Sequence, residues 1–109
     1  MAKKIKVIIK RPGEDGHMTW ISDTLENLQK TVGGDIEMVR LDEDNVMIVN
    51  DEGKMLDLEP NIWWYDDIIV GTLIIAGDAH NGDLTDTTWT LKDWKEKLAE
   101  RKGRKVVRI

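Results

Sequence analysis

The chain has 109 residues, no cysteine, 40% hydrophobic and 34% charged side chains, and a formal net charge of −5. That size and apolar fraction suit one domain around one core. The missing thiols exclude disulfides, thiolate metal sites and thiol nucleophiles, and no apolar run approaches the ~20 residues of a membrane-spanning helix. The first residues are basic with no apolar stretch behind them, so they do not read as a secretory signal. A cytoplasmic protein that engages no membrane is expected.

Residues 3–10 open with Ile5, Val7 and Ile9 alternating against Lys4, Lys6, Ile8 and Lys10. Period two with β-branched residues predicts a strand with one buried face. Pro12-Gly13 and Asp15-Gly16 are turn chemistry, and 17–21 supplies a partner strand for a hairpin. A helix follows, capped by Ser22 or Asp23, with Asp23 and Glu26 at capping-box spacing. Leu25, Leu28 and Val32 form its apolar stripe, and Gly33-Gly34 ends it. Strands are predicted at 36–41 and 46–50, with a short return at 54–58.

Glu59-Pro60-Asn61 breaks the pattern again. Residues 62–67 read as a turn of helix or an ordered loop. The most apolar segment, 68–76, reads as one central strand buried on both faces. A polar loop covers 77–83. A second helix starts at Thr90, with Asp93 three positions on and Leu91, Trp94 and Leu98 along one stripe. Val106-Val107 is either a last strand or part of a tail that orders on a partner. The predicted fold is α+β, a mostly antiparallel sheet with two helices packed on one side. Its core spans about 4–85, and a basic C-terminal helix and tail follow at 86–109.

Several stretches carry a resemblance. They are Leu25-x-x-Leu28-Gln29-x-x-Val32-Gly33-Gly34-x-Ile36-Glu37, Ile48 to Lys54, Pro60-Asn61, Asp67 to Thr72, and Ile74-Ile75-x-Gly77-Asp78. In order and spacing the chain resembles domain-of-unknown-function family 3846, small proteins of phages, plasmids and their bacterial hosts. The resemblance implies a mobile-element origin and intracellular action. It supplies no activity and no functional residues.

The residues themselves favour binding over catalysis. Ser22, the sole serine, sits where a helix cap belongs and lacks a Gly-x-Ser-x-Gly elbow. His17 and His80 are the only histidines. Asp78, His80 and Asp83 share a loop with Asn81 and Gly82, but the twelve-residue calcium register is missing, and a plain turn explains them. Asp42/Glu43/Asp44, Asp51/Glu52 and Asp66/Asp67 lie in turn contexts where carboxylates are solvated, whereas acid–base work needs one of a pair buried. No phosphate-loop motif occurs. No catalytic residue, cofactor or metal is therefore expected.

Aromatics and charge point elsewhere. The chain has five Trp, one Tyr and no Phe, and three of these six rings are consecutive at Trp63-Trp64-Tyr65. Three successive rings cannot all face one core, so at least one emerges, as suits an interface or a stacking platform. Residues 1–11, 12–91 and 92–109 carry net +5, −15 and +5. The ends either pack beside the acidic centre and neutralise it or converge on an anion site. The expected function is a non-enzymatic, phage-type binding protein. It would hold a small anionic nucleotide-like ligand between Trp63, Trp64 or Tyr65 and Lys4, Lys6 and Arg11, sequestering a host-defence signal. The alternative is a protein–protein module, a homo-oligomer or an acidic inhibitor of a host protein. Duplex nucleic acid is disfavoured, because the acidic centre repels phosphates.

Overall fold

The computed structural model describes residues 3–102; the Val106-Val107 segment lies outside them. The alternating N-terminal residues form β1 (Lys4–Lys10), paired antiparallel with β2 (His17–Ser22) in the register Ile5↔Ile21, Val7↔Thr19 and Ile9↔His17. Helix α1 (Leu25–Val32) is capped by Thr24, whose Oγ1 accepts the Asn27 N–H at 3.1 Å. Neither Ser22 nor Asp23 caps it. Ser22 still pairs with Lys4 in the ladder, and the Asp23 N–H donates to the Lys3 carbonyl at 2.7 Å, so strand geometry runs to that point. The later start leaves Leu25 exposed in the first turn, while Leu28 and Val32 are buried. Gly33 ends the helix in the left-handed region at φ 86°, as its lack of Cβ permits.

Strands β3 (Ile36–Arg40) and β4 (Asn45–Asn50) pair antiparallel. No return strand forms at 54–58. Bonds from Leu56 N–H to Glu52 O (2.9 Å) and from Leu58 N–H to Gly53 O (3.0 Å) coil this segment into successive turns. Residues 62–67 are likewise neither helix nor loop: β5 (Pro60–Trp64) and β6 (Asp67–Val70) form a hairpin. The apolar run 68–76 is divided at Gly71, left-handed at φ 76°, and only its second half enters β7 (Leu73–Asp78). After β8 (Leu84–Thr85) comes α2 (Leu91–Lys102). Its capping box is reciprocal: Thr90 N–H donates to Asp93 Oδ2 at 2.8 Å and Asp93 N–H to Thr90 Oγ1 at 3.1 Å.

The main sheet runs β2-β1-β7-β4-β3, with β8 added on β7, and every pairing is antiparallel. The α+β class and the antiparallel sheet are as expected. The placement of both helices on one side is not. Leu73 to Ala76 on β7 and Val46 to Val49 on β4 are all buried, so successive side chains present apolar surface on both faces. One face packs Ile5, Val7, Ile48 and Ile74 against Leu28 and Val32 of α1. The other packs Ile8, Met47, Leu73 and Ile75 against Trp94 of α2, Trp89, and Ile62 and Trp64 of the hairpin. Trp89 and Trp94 stack at 6.5 Å between centroids. In a chain without phenylalanine, three indoles supply the bulk of this second core.

Side-chain amides fasten the layers. Asn45, fully buried, donates to Asp42 Oδ1 (3.0 Å) and Thr88 Oγ1 (2.8 Å), and accepts from Thr87 Oγ1 (2.6 Å) and Thr88 N–H (3.1 Å). Its amide is satisfied at both ends, as burial of a polar group requires. Trp89 Nε1 donates to Asp42 Oδ2 at 2.9 Å, so the β3–β4 turn and the segment leading to α2 are tied together. Burial pushes the Asp42 carboxyl up, but donors from Asn45, Asp44 and Trp89 outweigh it and hold it below the ordinary carboxylate value. At Gly77 a Cβ would overlap the Asp86 carbonyl oxygen, a backbone atom that cannot swing aside.

Two substitutions test these joints by urea or thermal unfolding. Gly77→Ala is expected to destabilise the fold by about 3 kcal/mol, through forced separation of β7 from the segment after β8. Asn45→Ala is expected to destabilise by a similar amount, about 3 kcal/mol, because it strands the Thr87 hydroxyl and the Thr88 N–H.

Candidate functional site

The β5–β6 hairpin sorts the three consecutive rings. Its register sets Ile62 opposite Ile69, Trp63 opposite Ile68, and Trp64 opposite Asp67. Ile62, Trp64 and Ile69 turn inward to the second core, so Trp63 and Ile68 share the outward face. Trp64 is 6% exposed, Trp63 49% and Tyr65 42%. Tyr65 opens the two-residue turn between the strands with a left-handed φ of 58°, a conformation that disfavours a bulky residue. Its ring meets Trp64 edge-on at 5.7 Å. Two of the three rings therefore emerge, and Trp64 is a core residue rather than a ligand contact.

Asn61 fixes the hairpin against the sheet. Its Nδ2 donates to the Lys10 carbonyl at 2.9 Å and to the Gly71 carbonyl at 2.7 Å, and its Oδ1 accepts from Lys10 Nζ at 2.7 Å. One amide thus joins the end of β1, the start of β5 and the turn between β6 and β7. Beside it opens a cleft of about 390 Å³. Pro60, Ile62, Trp63, Ile68 and Leu98 form its apolar walls, and Lys10 and Asn61 supply its polar groups.

The cation at Trp63 is thus Lys10, which the sequence reasoning passed over. Lys4 and Lys6 lie six and four positions back along β1, about 20 and 13 Å at roughly 3.3 Å per residue. Lys6 sits opposite the exposed Trp20 on β2, and Lys4 opposite Ser22. Arg11 follows Lys10 directly but does not line the cleft. The alternation of β1 already put Lys10 on the same face as Lys4 and Lys6. Choosing among the three required knowing which end of β1 meets the hairpin.

The acidic loops are engaged structurally. Asp78 pairs with Arg40, which holds its carboxyl below the ordinary value, with help from the His80 N–H. His80 Nε2 lies 3.1 Å from Asp44 Oδ1, and its Nδ1 lies 3.9 Å from Asp78 Oδ2. The loop after β7 is thereby latched to the β3–β4 turn. Asp67 pairs with Lys54, whose hydrogen bond lowers the Asp67 pKa. Among the described residues no group of three or more His, Asp or Glu side chains is placed to hold a metal ion. None of their helices is long and apolar enough to cross a membrane.

Hydrogen bonding to Asp44, then the charge of Asp78, raises the His80 pKa above 6.5. The charged latch therefore contributes fully below about pH 6.5, and its contribution fades as pH rises through the higher folded value. NMR titration of the ring is expected to show a raised midpoint that falls back toward 6.5 in Asp44→Asn.

A model of the family described as Domain of unknown function (DUF3846) matches residues 5–99, a span that takes in Trp89, Trp94 and most of α2. Comparisons with curated proteins and with solved structures return no match. The residues that carry the sequence resemblance serve as joints. Asn50 Nδ2 donates to the Val32 carbonyl at 3.1 Å, Asn61 ties the hairpin to β1, Gly71 turns β6 into β7, Gly77 admits the Asp86 carbonyl, and Asp78 anchors Arg40. With its matched span covering most of the sequence, the chain belongs to the DUF3846 family.

Proposed function

We propose that this chain is a non-enzymatic binding protein whose cleft at Trp63 holds a small, planar, anionic ligand of nucleotide type. The observation that carries this reading is the half-exposed Trp63 indole beside the Lys10 ammonium, in a cleft whose hairpin wall is fixed by Asn61. A base stacks on the indole, and the ammonium, already oriented by Asn61 Oδ1, meets a phosphate. The cleft volume falls within the roughly 300–1,000 Å³ of small-molecule sites, and apolar walls with a few polar groups fit that class. An ammonium and a side-chain amide bind and orient such a ligand without converting it. Sequestration of a signalling nucleotide is the role that fits a phage-type protein of this kind.

A second reading, a protein–protein module, is favoured by one further observation. Met55, Leu56, Trp63 and Tyr65 are all exposed, and Ile68 lines both the Trp63 cleft and a neighbouring one beside Met55. Ile68 thus links the apolar surfaces at Trp63 and Met55, and exposed apolar surface of this kind marks interfaces.

Mass spectrometry of small molecules released from the denatured protein, with calorimetry against cyclic and ADP-ribose-type nucleotides, tests the first reading. Trp63→Ala is expected to weaken ligand binding by about 1–3 kcal/mol, one stacked base, with little change in stability. Trp64→Ala is expected to destabilise the fold by about 3–5 kcal/mol instead. If no nucleotide binds, and light scattering shows a mass that rises with concentration and falls in Trp63→Ala, the module reading replaces it.

A further inference from the structure

Strand β3 ends the main sheet, and among the described residues no strand pairs with its outer edge. The bonds flanking its ladder fix which groups face outward. Asp51 N–H donates to Asp35 O and Leu41 N–H to Asn45 O, so the odd-numbered residues 35–41 turn their backbone groups toward β4. In an antiparallel pair the alternate residues turn theirs away. Ile36, Met38 and Arg40 therefore present N–H and C=O groups outward, at the spacing an incoming strand needs.

Two cavities flank this edge, one on each face of the sheet. The first, about 210 Å³, is lined by Glu37 and Val39 of β3 with Val49, Met55 and β6 residues. The second, about 260 Å³, is lined by Met38 and Arg40 with Val46 and Leu84. The β3–β4 register puts Glu37 and Val39 on the face of Met47 and Val49, and Met38 and Arg40 on the face of Val46 and Ile48. An added strand sends alternate side chains to opposite faces, so its neighbouring residues would enter the two cavities in turn.

Charge selects the occupant. Beside the first cavity Glu37, Asp51 and Glu52 have no cationic partner among the described residues, while Lys54 is committed to Asp67. In the second, Arg40 is committed to Asp78, and Met38, Val46 and Leu84 give an apolar floor with Asp83 also in the lining. We propose that the outer edge of β3 takes up an extended segment of a partner protein as an added strand, one whose residues alternate between basic and aliphatic. Backbone bonds to Ile36, Met38 and Arg40 supply the affinity. The basic side chains lie over Glu37 and Glu52 on one face, and the aliphatic ones fill the cavity at Met38 on the other, in the manner of β-augmentation.

The test is calorimetric titration of the full chain with a blocked hexapeptide alternating lysine and valine, with hydrogen exchange read in parallel. Binding is expected, with slowed exchange at Ile36, Met38 and Arg40. Methylating alternate peptide nitrogens, which deletes the strand bonds but keeps the charges, is expected to weaken binding roughly tenfold or more. A glutamate–valine peptide is expected not to bind, and Glu52→Lys to weaken binding several-fold with unfolding unchanged. The first cavity meets the Trp63 cleft at Ile68, but Trp63 itself does not line it, so Trp63→Ala should leave peptide affinity nearly as it was. Absence of binding, equal affinity for the methylated peptide, or protection at β2 instead of β3 would each overturn the proposal.

Discussion

Two neighbouring strands at the middle of the sheet, β7 and β4, have apolar side chains pointing both up and down, and everything else is arranged around that. Their backbone groups are satisfied in the ladder, but each face must be kept from water. The eight-residue α1 and its two buried side chains cover one face. The other face needs more, and the chain covers it with two segments distant in sequence, the β5–β6 hairpin and α2 with its approach through Trp89. Indole rings suit this task because each fills a large volume and still offers a donor that can be satisfied at the rim, as Trp89 does with Asp42.

Cover assembled from separate segments has to be located, and apolar packing alone locates it loosely. Asparagine performs that task three times, at positions 45, 50 and 61, each bridging elements that are not adjacent in sequence. A short amide with two donors and one acceptor oxygen can join several backbone or hydroxyl groups at once. It also makes registry errors expensive, because a slip leaves buried polar groups unmet. Asn50 and Asn61, which fall within the stretches that carry the resemblance, thus have architectural work.

Much of the fold could be read from local pattern. The alternation of β1, the Gly33 stop of α1, and the Thr90–Asp93 box with its Leu91, Trp94 and Leu98 stripe all reflect rules that act within a few residues. The failures share a cause. Residues 68–76 are apolar on both sides of Gly71, so no period marks the break, and only the left-handed glycine divides two strands. Trp63-Trp64-Tyr65 likewise hides a period of two, because inward and outward positions are both aromatic. At the cleft, the emergence of a ring followed from simple geometry. The identity of its cation did not, since Lys4, Lys6 and Lys10 are the same residue type on the same face of one strand, and only the end of β1 that meets the hairpin decides between them.

The three-way amide at Asn61 has one more effect, on the stiffness of the cleft's walls. Its sheet-side wall is bolted to the frame by bonds to two carbonyls and one ammonium. From α2 the cleft takes Leu98, which also packs against the second core. The cleft thus combines one wall held by three hydrogen bonds with another contributed by a side chain of α2.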